Sequence, residues 1–286
     1  MQIQHMISKP AIGKSLNQDC IGASETGIWL LDGISEVRNL SIKNDENAVF
    51  WFVNRINAYL SQYLDYHDLT ITEILIAAIK EIKEEITSLI TVDINSLQYN
   101  EHPSASIIIA RNIQDEKLEI FSLGDCLAYL RTSNQEILIQ NHELKRIEEQ
   151  FRDKILQKKK TYPQMSHKDF LAKIKIIERL KYLRDDLYQN DKYNVLNLDS
   201  VMISKGQLSV YQSINTILLL SDGFSRVIDT YHLFKDYNDL LVNLKEQGVE
   251  QIYETMREIE QRDQNVQQFP RLRVSDDASL ILAFLE

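Results

Sequence analysis

Three isoleucines in a row, Ile107-Ile108-Ile109, sit inside the apolar stretch 104–111. Successive side chains of a strand point to opposite faces, so an unbroken apolar run reads as a strand buried on both. Such a strand needs a sheet covered on either side, and the neighbouring sequence supplies both sheet partners and covering helices. Stretches 117–123, 127–131 and 136–140 also read as strands, separated by the polar turns 112–116 and 132–135, which predicts an antiparallel meander. Upstream, 24–33 reads as a strand ending in Leu-Leu-Asp-Gly. Two helices are predicted between these strands. The first covers about 46–64, with Val49, Phe50, Val53, Ile56, Leu60 and Leu64 on one side. The second opens on the capping-box pattern Thr70-x-x-Glu73 and runs to about residue 90, with Ile71, Ile74, Leu75, Ala78, Ile79, Ile82 and Ile86 at helical spacing.

Beyond residue 140 the text turns charged and helical. Leu144, Ile147, Phe151 and Ile155 form one stripe, and Phe170, Ile174, Ile177, Leu180 and Leu187 form another. Tyr162-Pro163-Gln164 separates them, and Ser166-x-x-Asp169 can cap the second. This pair reads as an inserted hairpin or flap. Strands resume at 193–196, 207–212 and 216–221, a long helix is predicted over about 237–261, and the last strand is 278–285. The succession argues for an α+β fold with helices covering sheet faces.

Composition narrows the function. The 286 residues are 44% hydrophobic and 26% charged, the range of an ordinary soluble protein. Apolar runs are of strand length, and 1–10 lacks the basic start and apolar core of a signal peptide. A net charge of −10 argues against duplex nucleic acid, since phosphate contacts need clustered cations. Lys158-Lys159-Lys160 lies among compensating acids and reads as a solvated face. Two cysteines, Cys20 and Cys126, are too few for a disulfide framework; a reducing cytoplasm is the expected compartment, and each reads as a small filler beside an aspartate.

Glycine is scarce, at eight residues, and three of the eight adjoin an aspartate at the end of an apolar strand: Asp32-Gly33, Gly124-Asp125 and Asp222-Gly223. Taken singly, each is a turn signal. Taken together with Asn17-Gln18-Asp19 and Asp276-Asp277, they suggest carboxylates converging at strand edges. Carboxylates held that close repel unless a cation neutralises them, and hard oxygen ligands suit Mg²⁺ or Mn²⁺. None of the six histidines has a partner at helical spacing for a metal, and neither a Gly-rich phosphate loop nor a G-x-S-x-G elbow is present.

The order of motifs resembles a family. Lys14-x-x-Asn-Gln-Asp19, Leu-Leu-Asp32-Gly33, Pro-Ser-Ala-Ser106, Phe-Ser-Leu-Gly-Asp125, Leu-Leu-Leu-Ser-Asp222-Gly223 and Asp276-Asp277-Ala-Ser-Leu follow the motif succession of the type 2C metal-dependent Ser/Thr protein phosphatases, as in a divergent bacterial member. The resemblance implies an antiparallel β-sandwich flanked by helices on both sides, forming one domain over 1–286 with an enlarged helical flap at 143–190. It implies a hydrolase acting on phosphoserine and phosphothreonine of a signalling protein through metal-activated water, with two or three Mn²⁺ or Mg²⁺ ions and no nucleic acid, membrane or second copy as partner. Asp32 would bridge two metals and the Gly33 carbonyl would bind one. Asp222 and Asp276 would hold the other, Asp125 a third and looser ion, and Asp19 would orient metal-bound water. Gln18 stands where many members carry a glutamate ligand. Lys14 falls where the family binds substrate phosphate through arginine, turning a bidentate fork into a point charge. Ile34-Ser35-Glu36 replaces the usual small continuation after Gly33, and Leu127-Ala128 replaces an arginine common after Asp125. These departures also allow an alternative, a catalytically inactive phosphatase-like binding module.

Overall fold

The structure, a computed structural model, describes residues 1–34, 40, 42, 47–114, 116–192 and 194–285. Ser35, Glu36, Glu46, Asp115 and Tyr193, which entered the expectations above, lie outside the described residues. The strands are β1 (Gln2–Lys9), β2 (Asp19–Ala23), β3 (Gly27–Ile34), β4 (Ser104–Ile113), β5 (Lys117–Leu123), β6 (Leu127–Arg131), β7 (Glu136–Ile139), β8 (Gln207–Gln212), β9 (Thr216–Leu220) and β10 (Ala278–Phe284). The helices are α1 (Ala48–Tyr63), α2 (Ile71–Leu89), α3 (His142–Lys159), α4 (His167–Lys173), α5 (Ile176–Gln189), α6 (Asp222–Asp229), α7 (Tyr237–Gln247) and α8 (Val249–Arg262).

The strands form two antiparallel five-stranded sheets, ordered β1-β10-β9-β6-β7 and β2-β3-β4-β5-β8. The isoleucine run lies in β4, the middle strand of the second sheet, and both its faces are buried. Ile107 and Ile109 join Trp29 and Leu31 against Phe52, Ile56 and Ile79 of α1 and α2. Ile108 points the other way, with Ile28 and Leu30, to meet Leu130, Leu219 and Ile281 of the first sheet. The outer face of that sheet carries Leu127, Leu218, Leu220, Leu280 and Leu282 against Phe224, Leu241 and Met256 of α6, α7 and α8. Helices, sheet, sheet and helices therefore stack as four layers, the expected sandwich, with each fully buried Leu, Ile or Phe contributing roughly 1.5–3 kcal/mol. The capping box of α2 forms as predicted: Thr70 Oγ1 accepts from the Glu73 amide and Glu73 Oε2 accepts from the Thr70 amide. No helix among the described residues is long and apolar enough to cross a membrane.

Four expectations need correction. The predicted meander is two hairpins, β4–β5 in one sheet and β6–β7 in the other, because the chain changes sheet at Gly124-Asp125-Cys126. The long helix after residue 236 is two helices, α7 and α8, broken at Gly248, whose φ of 80° leaves the helical region. The charged stretch holds three helices, since Lys175 turns left-handed at φ 53° between α4 and α5. Val195 and Leu196 supply only an isolated bridge, Ala105 to Leu196.

Candidate metal centre

Each acidic residue picked out in the sequence reaches the same end of the sandwich by a different route. Asp19 opens β2 and pairs across the ladder with Asp32, which pairs in turn with Ser106 of β4, so the three make one row. Asp125 sits where the chain passes from β5 to the other sheet. That corner needs glycine: Gly124 has φ +100°, and a Cβ there would lie 2.2 Å from Ser106 Oγ. Ser106 Oγ also accepts from the Asp125 amide at 3.1 Å, keying the corner to the row of Asp32. Asp222 follows β9 and opens α6, where a carboxylate is favoured by the exposed amides of the first turn. Gly223 is forced by crowding, because its Cβ would stand 1.9 Å from the Asp277 carbonyl oxygen. Asp276 precedes β10, and β9 and β10 are tied at this end by Ser221 N to Ser279 O and Ser279 N to Ser221 Oγ, both 3.0 Å. None of the three Asp-Gly pairs forms a hairpin turn: one lies within a strand, one at a sheet crossover and one at a helix start.

The electrostatics are those of crowded anions. Burial raises the pKa of Asp32, and Asp19, Asp222, Asp125 and Asp276 raise it further. Burial likewise raises Asp19, with Asp277, Asp222 and Asp276 adding to it against a lowering hydrogen bond from Ser279. Asp222 is raised by burial and by Asp276. Asp125 is pushed up to about 6 by burial and Asp222. Among the described residues, Asp19 Oδ2 and Asp125 Oδ1 are buried oxygens without a hydrogen-bond partner. Carboxylates that repel, with orphaned oxygens among them, are what a divalent cation would neutralise, so Asp32, Asp125 and Asp222 fit one.

Ligand atoms of Asp32, Asp125 and Cys126 lie within 4.8 Å of one another. Burial and the surrounding aspartates hold Cys126 well above its ordinary pKa, as a thiol packed between the sheets. A thiol is a poor ligand for a hard cation, in keeping with its reading as a filler.

Asp276 behaves differently. Burial would raise it, but Arg273, Arg226 and Lys14 outweigh that and hold it at about 2. Arg226 Nη2 lies 2.7 Å from its Oδ2, and Arg273 Nη1 lies 2.9 Å from Oδ1 and 3.2 Å from Oδ2. Its neighbour Asp277 is a staple: Oδ1 accepts from Ala11 N and Oδ2 from Gln18 N, both at 2.8 Å. Those bonds close the loop between β1 and β2 that carries Lys14, whose Nζ stands 3.8 Å from Asp277 Oδ1. Asp277→Ala would strand both amides, and a loss of about 2 kcal/mol in urea unfolding is expected. Gln18 is fixed by the same loop: its carbonyl accepts from Gly33 N at 3.1 Å and its Nε2 donates to Asn47 Oδ1, the N-cap of α1.

Four charged residues at this end escaped the sequence reading: Arg226, Arg273, Glu148 and Arg184. Arg226 is one helical turn beyond Asp222 and Arg273 three residues before Asp276, so spacing from the aspartates was the available signal. Glu148, on α3, is raised by burial and then by Asp125 and Asp222, while Arg184 of α5 and Arg273 pull it down. The Glu148 side chain is nonetheless exposed to solvent, so it stands at the rim of the acidic cluster and not within it.

No family model and no curated protein matches the chain in sequence. Solved structures do match in fold. The serine/threonine phosphatase PstP/Ppp of Mycobacterium tuberculosis superposes with a TM-score of 0.56 at 13% identity, over 100% of both chains. The serine/threonine phosphatase Stp1 of Staphylococcus aureus gives 0.53 at 15% identity, over 100% of this chain and 96% of that one. The catalytic domain of PstP in complex with two manganese ions gives 0.53 at 13%, over 99% and 98%. The chain thus has the fold of the bacterial Ser/Thr phosphatases. It is the same fold that the order of its motifs, from Lys14 to Leu285, implied through the type 2C resemblance.

Proposed function

We propose that this chain is a metal-dependent protein phosphatase hydrolysing phosphoserine and phosphothreonine. The observation that carries the reading is the meeting of Asp19, Asp125 and Asp222 around Asp32 at one end of the sandwich, with a buried oxygen of Asp19 and one of Asp125 left unpaired. Those unpaired oxygens favour an active centre over an inactive binding module. Asp32, Asp125 and Asp222, with the Gly33 carbonyl and Gln18 beside them, would hold Mn²⁺ or Mg²⁺. When bound, such an ion activates water and neutralises charge on the phosphoryl oxygens. Asp19, paired with Asp32 across the ladder and with Oδ2 unpaired, would orient metal-bound water. Lys14 would meet the incoming phosphate, a role supported by its 43% exposure on the stapled loop.

In this reading 143–190 is a flap within one 1–286 domain. Its helices are pinned near the centre: Leu144 and Leu187 pack with Ile34, Lys145 Nζ pairs with Asp229 at 2.8 Å, and His167 Nε2 donates to the Leu272 carbonyl at 2.7 Å. Two unpaired cysteines agree with a reducing cytoplasm, where a phosphorylated signalling protein would be the substrate. Hydrolysis of a phosphothreonine peptide is expected to stop in EDTA and return with Mn²⁺ or Mg²⁺. Turnover that ignores EDTA, or none with any divalent ion, would refute the reading.

A further inference from the structure

We infer that the guanidinium groups of Arg226 and Arg273 stand in for a second metal ion, so that the site takes one divalent cation and not two. The inference rests on the metal-centre reading above and concerns how that centre is completed. Asp276, which the motif resemblance assigns to a metal, has no oxygen to spare. Oδ2 receives Arg226 Nη2 at 2.7 Å and Arg273 Nη1 at 3.2 Å; Oδ1 receives Arg273 Nη1 at 2.9 Å and the Asp277 amide at 3.2 Å. A carboxylate offers about four lone-pair sites, and four donor contacts fill them. Two guanidinium groups also carry the charge of one divalent ion, and arginine cannot surrender that charge by deprotonation.

Both arginines are built in. Arg226 projects from α6 one turn after Asp222, and its side chain is 13% exposed. Arg273 is held from behind. Leu272 packs with Ile155, Phe170 and Ile174 of the flap helices, and its carbonyl accepts from His167. Arg271 is anchored by Asp263 at 2.8 Å. The contrast with the other carboxylates decides where a cation goes: Asp19 and Asp125 keep unpaired buried oxygens, whereas Asp276 does not.

The arrangement also leaves donors for substrate. Arg226 Nη1 is buried with no hydrogen-bond partner among the described residues, and the Arg273 side chain is 40% exposed. A phosphoryl oxygen entering beside Asp222 would meet these planar donors where it would otherwise meet a metal. They supply the fork geometry that Lys14 lacks.

Manganese titration of the full chain, followed by calorimetry and by electron paramagnetic resonance, tests this without using turnover. The wild-type chain is expected to take up one Mn²⁺ with the signal of an isolated ion. Arg273→Ala and the bulkier Arg273→Gln remove two of the four donor contacts on Asp276, one from each oxygen, and are expected to raise uptake from one ion to two, with a spin-coupled signal. Arg273 is the position of choice because its side chain is partly exposed, so its loss spares the core. A coupled pair of ions in the wild-type chain, or variants that still take up only one, would overturn the inference. No uptake by any of them would overturn the metal-centre reading itself.

Discussion

Asp32→Asn is expected to lower kcat on a phosphothreonine peptide by about a thousandfold or more, while making the metal-free protein more resistant to heat. The first effect follows from position. Asp32 lies in one row with Asp19 and within ligand reach of Asp125, so its charge is the one most shared by the cluster. A divalent ion is worth several kcal/mol of charge stabilisation in a displacement at phosphorus, and about 4 kcal/mol corresponds to a thousandfold in rate. The amide keeps the shape of the carboxylate, so the ladder through Asp19, position 32 and Ser106 is retained. The second effect has the opposite sign, because burial and four neighbouring aspartates all disfavour the charge that the substitution removes. Thermal unfolding in EDTA measures it. A variant that is both active and less stable than the parent would show that Asp32 serves packing rather than metal.

The sequence disclosed what is local. The buried faces of β4, the capping box at Thr70 and the aspartates at strand ends are all written within a few residues, and each appears in the fold where its pattern predicts. β1 is not legible because most of its side chains are exposed or half-buried, with Ile7 alone in the core, so no alternation stands out. The continuous meander failed at Gly124 for a related reason. A corner between sheets and a turn between neighbouring strands use the same residues, and only the Ser106 contact behind Gly124 separates them. Least legible was the fate of the two adjacent aspartates before β10. Asp276 is claimed by Arg226, fifty positions away, and Asp277 by Ala11 and Gln18 at the other end of the chain. Pairings of that span leave no periodicity to read, so the doublet looked uniform where the fold gives its members different work.

The stability of the metal-free protein is expected to fall as pH rises through the weakly acidic range, and added Mn²⁺ is expected to remove that fall. A carboxyl group whose pKa is raised by folding binds its proton more tightly in the folded chain. Between the unfolded and folded values the folded state therefore carries more protons, and stability declines with rising pH. Asp125 sets the window, from its ordinary 3.8 to about 6, and its share is on the order of 3 kcal/mol. Asp19, Asp32 and Asp222 are raised as well and act in the same direction. Asp276, Asp65 and Asp263 are lowered, so their contribution is lost only as pH falls below 3.8, outside this window. His102 and His167, held below their ordinary 6.5 chiefly by burial, oppose the trend, but lie apart from the metal ligands and act alike with or without metal. Comparing melting temperature against pH in EDTA and in excess Mn²⁺ cancels them. A decline of roughly 6–12 °C is expected in EDTA at about 2–4 °C per kcal/mol. With metal at a hundred times its dissociation constant, about 2.7 kcal/mol is restored. Restoration is greatest where the carboxylates are ionised, because protons and the cation compete for the same oxygens. Parallel curves in the two buffers would mean that the acidic cluster does not bind the ion.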